Sequence, residues 1–179
     1  MKTPRAKIRR ITQLGEPVLR VKSKRIAKPV SPEIQQLIAD MLVTMKKARG
    51  VGIAAPQVNV GQQIFIVAPE PSSRYPNAPQ IPPVAMINPQ LISHSKKTIT
   101  DWEGCLSIPG IRGRVPRYKQ VDIEFTAANG KRMRARLTDF VARIFQHEFD
   151  HICGRVFLDR VQDTRTLMVE SEYRKLWDV

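Results

Sequence analysis

Along the chain, apolar residues recur every third or fourth position in some segments and every second position in others. From Ser31 the helical spacing is clear. Ile34, Leu37, Ile38, Met41, Leu42 and Met45 share one face of a helix ending near Gly50, with Ser31 suited to the N-cap and Pro32 to the first turn. Ile64-Phe65-Ile66-Val67 and Val84-Ala85-Met86-Ile87 are short unbroken apolar runs, the pattern of buried strands. Between them Pro69, Pro71, Pro76, Pro79, Pro82 and Pro83 exclude helix and predict a surface loop, a candidate family-specific insertion. Val121-Asp122-Ile123-Glu124-Phe125 alternates, and Asn129-Gly130 then predicts a hairpin. Its return strand sets Met133, Ala135 and Leu137 on one face and Arg132, Arg134 and Arg136 on the other.

Thr138 can open a second helix running to about Cys153, with Gly154 placed to end it, and Thr164 to Trp177 predicts a third. The first thirty residues carry Gly15-Glu16-Pro17 and Lys28-Pro29 turn signals and read as irregular or edge structure. Strands around two or three helices, with no βαβ alternation, predict an α+β fold. We expect antiparallel sheets packed around a central helix that carries His147 and His151, with one helix in the N-terminal half and another at the C-terminus.

A length of 179 residues with 42% hydrophobic and 26% charged side chains fits one globular domain, 1–179, with the basic residues 1–10 as a flexible extension. No apolar run approaches the ~20 residues that span a bilayer, and the basic start leads into no apolar signal core. A cytoplasmic location is the expectation, with a short basic organellar leader as the alternative. Thirty Lys plus Arg against sixteen Asp plus Glu give a net charge of +14. Such an excess attracts polyanions, making the ribosome or RNA a candidate neighbour, and it equally describes a solvated basic surface. Cys105 and Cys153 permit one disulfide, but a reducing compartment favours free thiols or metal-bound thiolates.

The chemistry lies in the second helix. At about 100° per residue, His147 and His151 sit one turn apart on one face, near enough to share a metal, while Glu148 beside them can reach a water. This is the HExxH arrangement of two ligands and a general base. A catalytic site wants a third protein ligand, for which Cys105, Cys153, His94 or a distant acid are candidates. Cys153 lies about 200° around the helix from His151 and should face the core, and lone His94 reads as a surface or hydrogen-bonded residue. Cys105, in the glycine-containing loop Glu103-Gly104-Cys105-Leu106-Ser107, is the best of them. Gly50-Val51-Gly52-Ile53-Ala54-Ala55-Pro56-Gln57 lacks the third glycine and preceding strand of a dinucleotide fingerprint. It reads as a glycine-hinged loop whose backbone approaches a ligand.

These three segments, the last of them Gln146-His147-Glu148-Phe149-Asp150-His151, resemble in the same order the signature motifs of peptide deformylases. The likeness extends to Pro17-Val18-Leu19-Arg20 and Gly154-Arg155-Val156-Phe157-Leu158-Asp159, from about Ile11 to Asp159. The resemblance implies that Cys105, His147 and His151 hold one divalent metal carrying a water. Glu148 would take that water's proton, and the Gln57 amide and Leu106 backbone N–H would stabilise the oxyanion. The substrate implied is an N-formylmethionyl peptide, cleaved to formate and a free N-terminal methionine. Fe(II) is the metal the family favours, with Zn(II) as the alternative occupant; a thiolate with two imidazoles suits either. Gly52, Ile53, Phe140 and Ile144 are candidate pocket residues by placement beside the motifs, and Arg112 matches a family position near the pocket.

Two other functions compete. A zinc peptidase shares HExxH, but no downstream histidine or glutamate forms a peptidase-type third-ligand motif. A non-catalytic binder of ribosomes or RNA would use the face of Arg132, Arg134 and Arg136, and is compatible with deformylation. Oligomeric state is not written in the sequence.

Overall fold

The structure, a computed structural model, describes residues 5–71 and 77–176. Helix α1 spans Pro32–Lys47 and carries the expected stripe, with Ile34, Leu37, Ile38, Met41 and Met45 buried. A five-stranded antiparallel sheet follows, built from β1 (Gly52–Ala54), β2 (Ile64–Val67), β3 (Val84–His94), β6 (Gln120–Thr126) and β7 (Arg132–Thr138) in that spatial order. A second antiparallel sheet holds β4 (Thr98–Cys105), β5 (Ile108–Tyr118) and β8 (Met168–Val169). Helix α2 runs Asp139–Ile152 and α3 Glu170–Lys175. Among the described residues the architecture is α+β, with antiparallel sheets and three α-helices, as the patterning predicts.

The five-stranded sheet lies between α1 and α2, which explains why β2 is apolar at every position. Successive side chains point to opposite faces. Ile64 and Ile66 join the core under α1, whereas Phe65 and Val67 join the core under α2, where Phe65 meets Phe145 edge-on with ring centroids 5.4 Å apart. The same alternation in β1 sends Ile53 toward α1 and Ala54 toward α2.

Several expectations are corrected. The run beginning at Val84 does not stop at Ile87 but continues to His94 through a register shift between Ile87 and Gln90. Asn88 adopts φ 49° there, and its buried side chain bonds both the backbone N–H and the carbonyl of Ile26, so the strand continues past it through a bulge. The predicted helix from Thr164 is broken into a 3-10 turn (Thr164–Thr166), β8 and the short α3, because Met168 and Val169 are drawn into pairing with β5. Trp177 lies outside the described residues. The basic start is not free at residues 7–9. The Lys7 N–H donates to Asp40 Oδ1 (2.8 Å), the Arg9 N–H to Thr44 Oγ1 (2.9 Å), and Arg9 Nε to Asp40 Oδ2 (2.9 Å). Within the proline-rich segment, residues 72–76 lie outside the described ones; the rest is loop.

The hairpin forms as expected, in the register Phe125 to Met133, Ile123 to Ala135 and Val121 to Leu137. Its arginine face is not a bare cationic surface. Arg132 and Arg134 both reach Glu124, at 3.6 and 2.6 Å, and Arg136 reaches Asp122 at 2.7 Å.

Candidate active site

The third motif is delivered by α2, whose inner face recurs at positions 143, 147, 150 and 151. All four side chains sit in or against the junction of the two sheets, with Arg143, Asp150 and His151 buried. The second motif comes from the end of β4. Cys105 closes the strand and pairs with Ile108, leaving Leu106 and Ser107 as a two-residue turn. It is a hairpin tip rather than the open loop the glycine suggests. The first motif is also firmer than a hinge: β1 is followed directly by a 3-10 turn, Ala55–Val58, that buries Gln57.

These three elements bring Cys105, His147 and His151 together, one donor atom from each lying within 4.8 Å of the others. His151 Nε2 is 3.2 Å from Cys105 Sγ. His147 turns Nδ1 away from the cluster to the buried Glu103 Oε2 at 2.9 Å, which leaves its other ring nitrogen for the cluster. Cys153 takes no part; it is half-buried and packs against the core beneath α2, as its helical angle predicts. His94 is exposed, stacks on Tyr118 with centroids 3.6 Å apart, and is remote from the cluster in role.

Gln57 is oriented by its own backbone turn. Its carbonyl oxygen accepts the Ala54 N–H at 2.8 Å, so the amide nitrogen must point the other way, where it donates to Cys105 Sγ (3.4 Å) and Ser107 Oγ (3.3 Å). Glu148 is 4% exposed, and among the described residues its Oε2 has no hydrogen-bond partner. A buried carboxylate oxygen left without a donor is costly and marks a place where a ligand or water belongs. Burial is the main cause that pushes the Glu148 carboxyl up to about 7. For His147, burial works against the charged form, but the bonds to Cys105 and Glu103 outweigh it and hold the imidazole well above its ordinary range. His151 goes the other way: burial, then the charge of His147, keeps it neutral.

Around the cluster lies a cavity of about 220 Å³. Gly52, Gln57, Leu106, Arg112, Phe140, Ile144 and Glu148 all line it. Ile53 does not, because strand alternation turns its side chain to the α1 core, where it is fully buried. Gly52 is required by closeness: a Cβ there would stand 2.9 Å from Glu148 Cδ and strike Oε1.

Sequence reasoning missed the layer behind the cluster. Glu103 Oε1 accepts from Arg117 Nε (2.9 Å) and Arg143 Nη1 (2.8 Å), and its Oε2 accepts from Arg117 Nη2 (3.0 Å). Arg117 extends to Asp150 Oδ2 at 2.5 Å, and Arg160 closes on Asp150 Oδ1 at 2.6 Å. Asp150 is therefore the anchor of a buried charge network, and Phe149 stacks on Phe145 with centroids 5.6 Å apart. The signal was available for Arg143 and Asp150, which share the helical face of His147 and His151. It was absent for Arg117, one arginine among many.

With this geometry in view, the family model for polypeptide deformylase matches residues 8–166. The chain belongs to the peptide deformylase family. Peptide deformylase 2 of Nostoc sp. is 51% identical over 166 residues, covering 93% of each chain. Peptide deformylase 1 of Nitrosomonas europaea is 40% identical, over 88% of this chain and 90% of its own. Among solved structures, a Met-Ala-Ser-bound class I type b peptide deformylase from Acinetobacter baumannii superimposes with a TM-score of 0.85 at 35% identity, covering 88% of this chain and 100% of that one. The peptide deformylase of Thermotoga maritima gives 0.79 at 34% identity, over 88% and 99%. Peptide deformylases are metal-dependent enzymes that remove the N-formyl group from N-formylmethionyl peptides. No helix among the described residues is long and apolar enough to cross a membrane.

Proposed function

We propose that the cavity between Gly52, Leu106 and Glu148 is where N-formylmethionyl peptides are deformylated, with α2 as the central catalytic element of one domain spanning residues 1–179. The observation that carries this reading is the buried, unpartnered Oε2 of Glu148 beside a Cys, His, His cluster of metal-ligand spacing. One thiolate and two imidazoles converging within 4.8 Å fit a single divalent ion, Fe(II) by family resemblance or Zn(II). Held by Cys105, His147 and His151, such an ion supplies Lewis acidity, lowering the pKa of water and polarising a carbonyl.

The chain's own groups do the rest. Glu148, with its carboxyl near 7, accepts a proton from the attacking water and returns it to the departing amine, so that formate and a free N-terminal methionine leave. Gln57 Nε2 and the Leu106 backbone N–H donate to the oxygen on which negative charge develops; the Ala54 bond that fixes the Gln57 amide supports this assignment. Phe140 and Ile144 give the methionine side chain an apolar wall, with Gly52 and Arg112 lining the cavity beside them. A relative solved with Met-Ala-Ser bound, a peptide that begins with methionine, is consistent with that arrangement.

Cytoplasmic action on chains leaving the ribosome accords with the +14 charge. With the hairpin arginines paired to Glu124 and Asp122, any ribosome attraction rests on the charge of the whole chain rather than on that face.

The test is anaerobic purification with metal analysis and a formate-release assay on formyl-Met-Ala-Ser, with intact casein as the rival substrate. We expect formate and uncut casein. Glu148→Ala is expected to abolish release and retain the metal; loss of metal in that variant refutes the base assignment, and cleavage of casein refutes the deformylase reading of this site.

A further inference from the structure

The candidate ligands come from two separate elements, Cys105 from the end of β4 and both histidines from α2, so their meeting depends on what fixes the helix against the β4–β5 hairpin. Arg143 is one such link. It sits one turn before His147 on the same helical face and is 7% exposed. Its Nη1 donates to Glu103 Oε1 at 2.8 Å and to the Val115 carbonyl at 2.9 Å, and its Nη2 donates to the Ile99 carbonyl at 2.6 Å. Those acceptors lie on both strands of the hairpin, where Ile99 is in register with Arg117 and Asp101 with Val115. Among the described residues these are all the side-chain bonds of Arg143, and the side chain of Glu103 bonds only Arg143, Arg117 and His147.

Arg143 and Arg117 hold the same carboxylate in different ways. Arg117 grips both Glu103 oxygens, at 2.9 and 3.0 Å, but its remaining nitrogen is committed to the Asp150 side chain further along α2. Side chains joined only to one another can shift as a unit. Arg143 instead ties Oε1 to two backbone carbonyls, which no change of rotamer displaces. The planar fork of a guanidinium holds all three oxygens in one geometry, which a lysine ammonium, a point charge, does not. With Oε1 pinned, Oε2 is left facing His147 Nδ1 at 2.9 Å. We propose that Arg143 is a positioning residue: it acts through Glu103 to hold the His147 ring in the orientation at which its other nitrogen meets Cys105 and His151. The inference rests on the reading of those three side chains as a metal site.

The experiment measures Zn(II) affinity by chelator competition, without peptide because Arg143 also lines the cavity, and records the visible spectrum of the Co(II)-loaded protein. Arg143→Met is expected to weaken Zn(II) about tenfold, the low end for loss of a ligand's outer support, and to shift the Co(II) bands, which report ligand geometry. In a Glu103→Gln background the same substitution is expected to cost less than about twofold, because the charged acceptor through which Arg143 acts is gone. Arg143→Lys, which keeps a cation beside Glu103 without the fork, is expected to weaken Zn(II) in the same direction and with the same dependence on Glu103. Thermal melts of the metal-free proteins establish that each variant is folded, with Ala142, Ile144 and Phe145 still holding α2 in its core. Unchanged affinity in either folded variant overturns the proposal, as does an equal loss in both backgrounds, which would make Arg143 a general brace of α2. A wild type that binds neither Zn(II) nor Co(II) strikes the metal reading itself, and this inference with it.

Discussion

Glu103 Oε2 stands 2.9 Å from His147 Nδ1 while the same carboxylate accepts from both Arg117 and Arg143. One buried acid orients a candidate metal ligand and pairs with two buried cations, sharing Arg117 with Asp150. Removing its charge takes the acid from Arg143 and leaves Arg117 with Asp150 alone, and breaking a buried pair on one side costs about 3–5 kcal/mol. Metal affinity should fall about 10–100-fold with the loss of the ligand's outer partner. Glu103→Gln is therefore expected to lower the urea midpoint and to yield its metal to a competing chelator sooner. An unchanged midpoint and chelation curve would show that His147 is held by other means.

The same residue gives the protein an acid-sensitive stability. Burial alone would raise the Glu103 carboxyl, but the charge of Arg117 and the bonds to His147 and Arg117 prevail and hold it far below its ordinary value of 4.5. Above that value the group is ionised folded and unfolded, and its stabilisation is complete. As pH falls through 4.5 and below, the unfolded chain takes up the proton first, so stability declines until the folded value is reached. Urea unfolding free energies should drop steadily below roughly pH 4.5, and part of that slope should be missing in Glu103→Gln.

Gly52 and Glu148 are in such close approach that Gly52→Ala should damage catalysis more than folding. The new methyl would meet Glu148 Cδ at 2.9 Å and Cγ at 3.0 Å and displace the carboxylate. Overpacking of this kind costs about 1–3 kcal/mol. If Glu148 is the base proposed above, misplacing it costs about 100-fold or more in rate. Formate release and a thermal melt, measured together, separate the two effects. Gly61→Ala, where nothing lies within 4 Å of the added carbon, serves as the control.

Asp40 ties the N-terminal segment to α1, accepting from the Lys7 N–H, Arg9 Nε and Gln36 Nε2. Asp40→Ala is expected to cost about 1–3 kcal/mol and to open the backbone after Arg9 and Arg10 to trypsin. Deformylation should continue at its usual rate in the uncut protein. Trypsin digestion at the wild-type rate would show that the remaining Thr44 contact suffices.

How much of this was legible depended on whether the responsible force was local. The α1 stripe, the hairpin at Asn129-Gly130 and the histidine pair on α2 follow from periodicity, so Ile34 to Met45 and His147 to His151 could be read without a partner in sight. Ile53 was misread as a pocket wall because which face of a two-sided sheet a residue takes depends on what packs there, and α1 claims that face. The helix expected from Thr164 yielded to β8 because the edge of β5 offered Met168 and Val169 a pairing no local propensity reveals. The charge network behind His147 joins residues up to 44 positions apart, and a lone arginine gives no sign of being 5% exposed.

The paired arginines of β7 have one more effect. In the five-stranded sheet β7 is an outer strand, and an outer strand offers unfilled backbone donors and acceptors to any passing chain. Arg132, Arg134 and Arg136 are 83%, 85% and 65% exposed along it, with their counterions drawn from β6 on the inner side. A second copy docking strand to strand would set two rows of guanidinium groups side by side, so like-charge repulsion along this edge opposes such pairing.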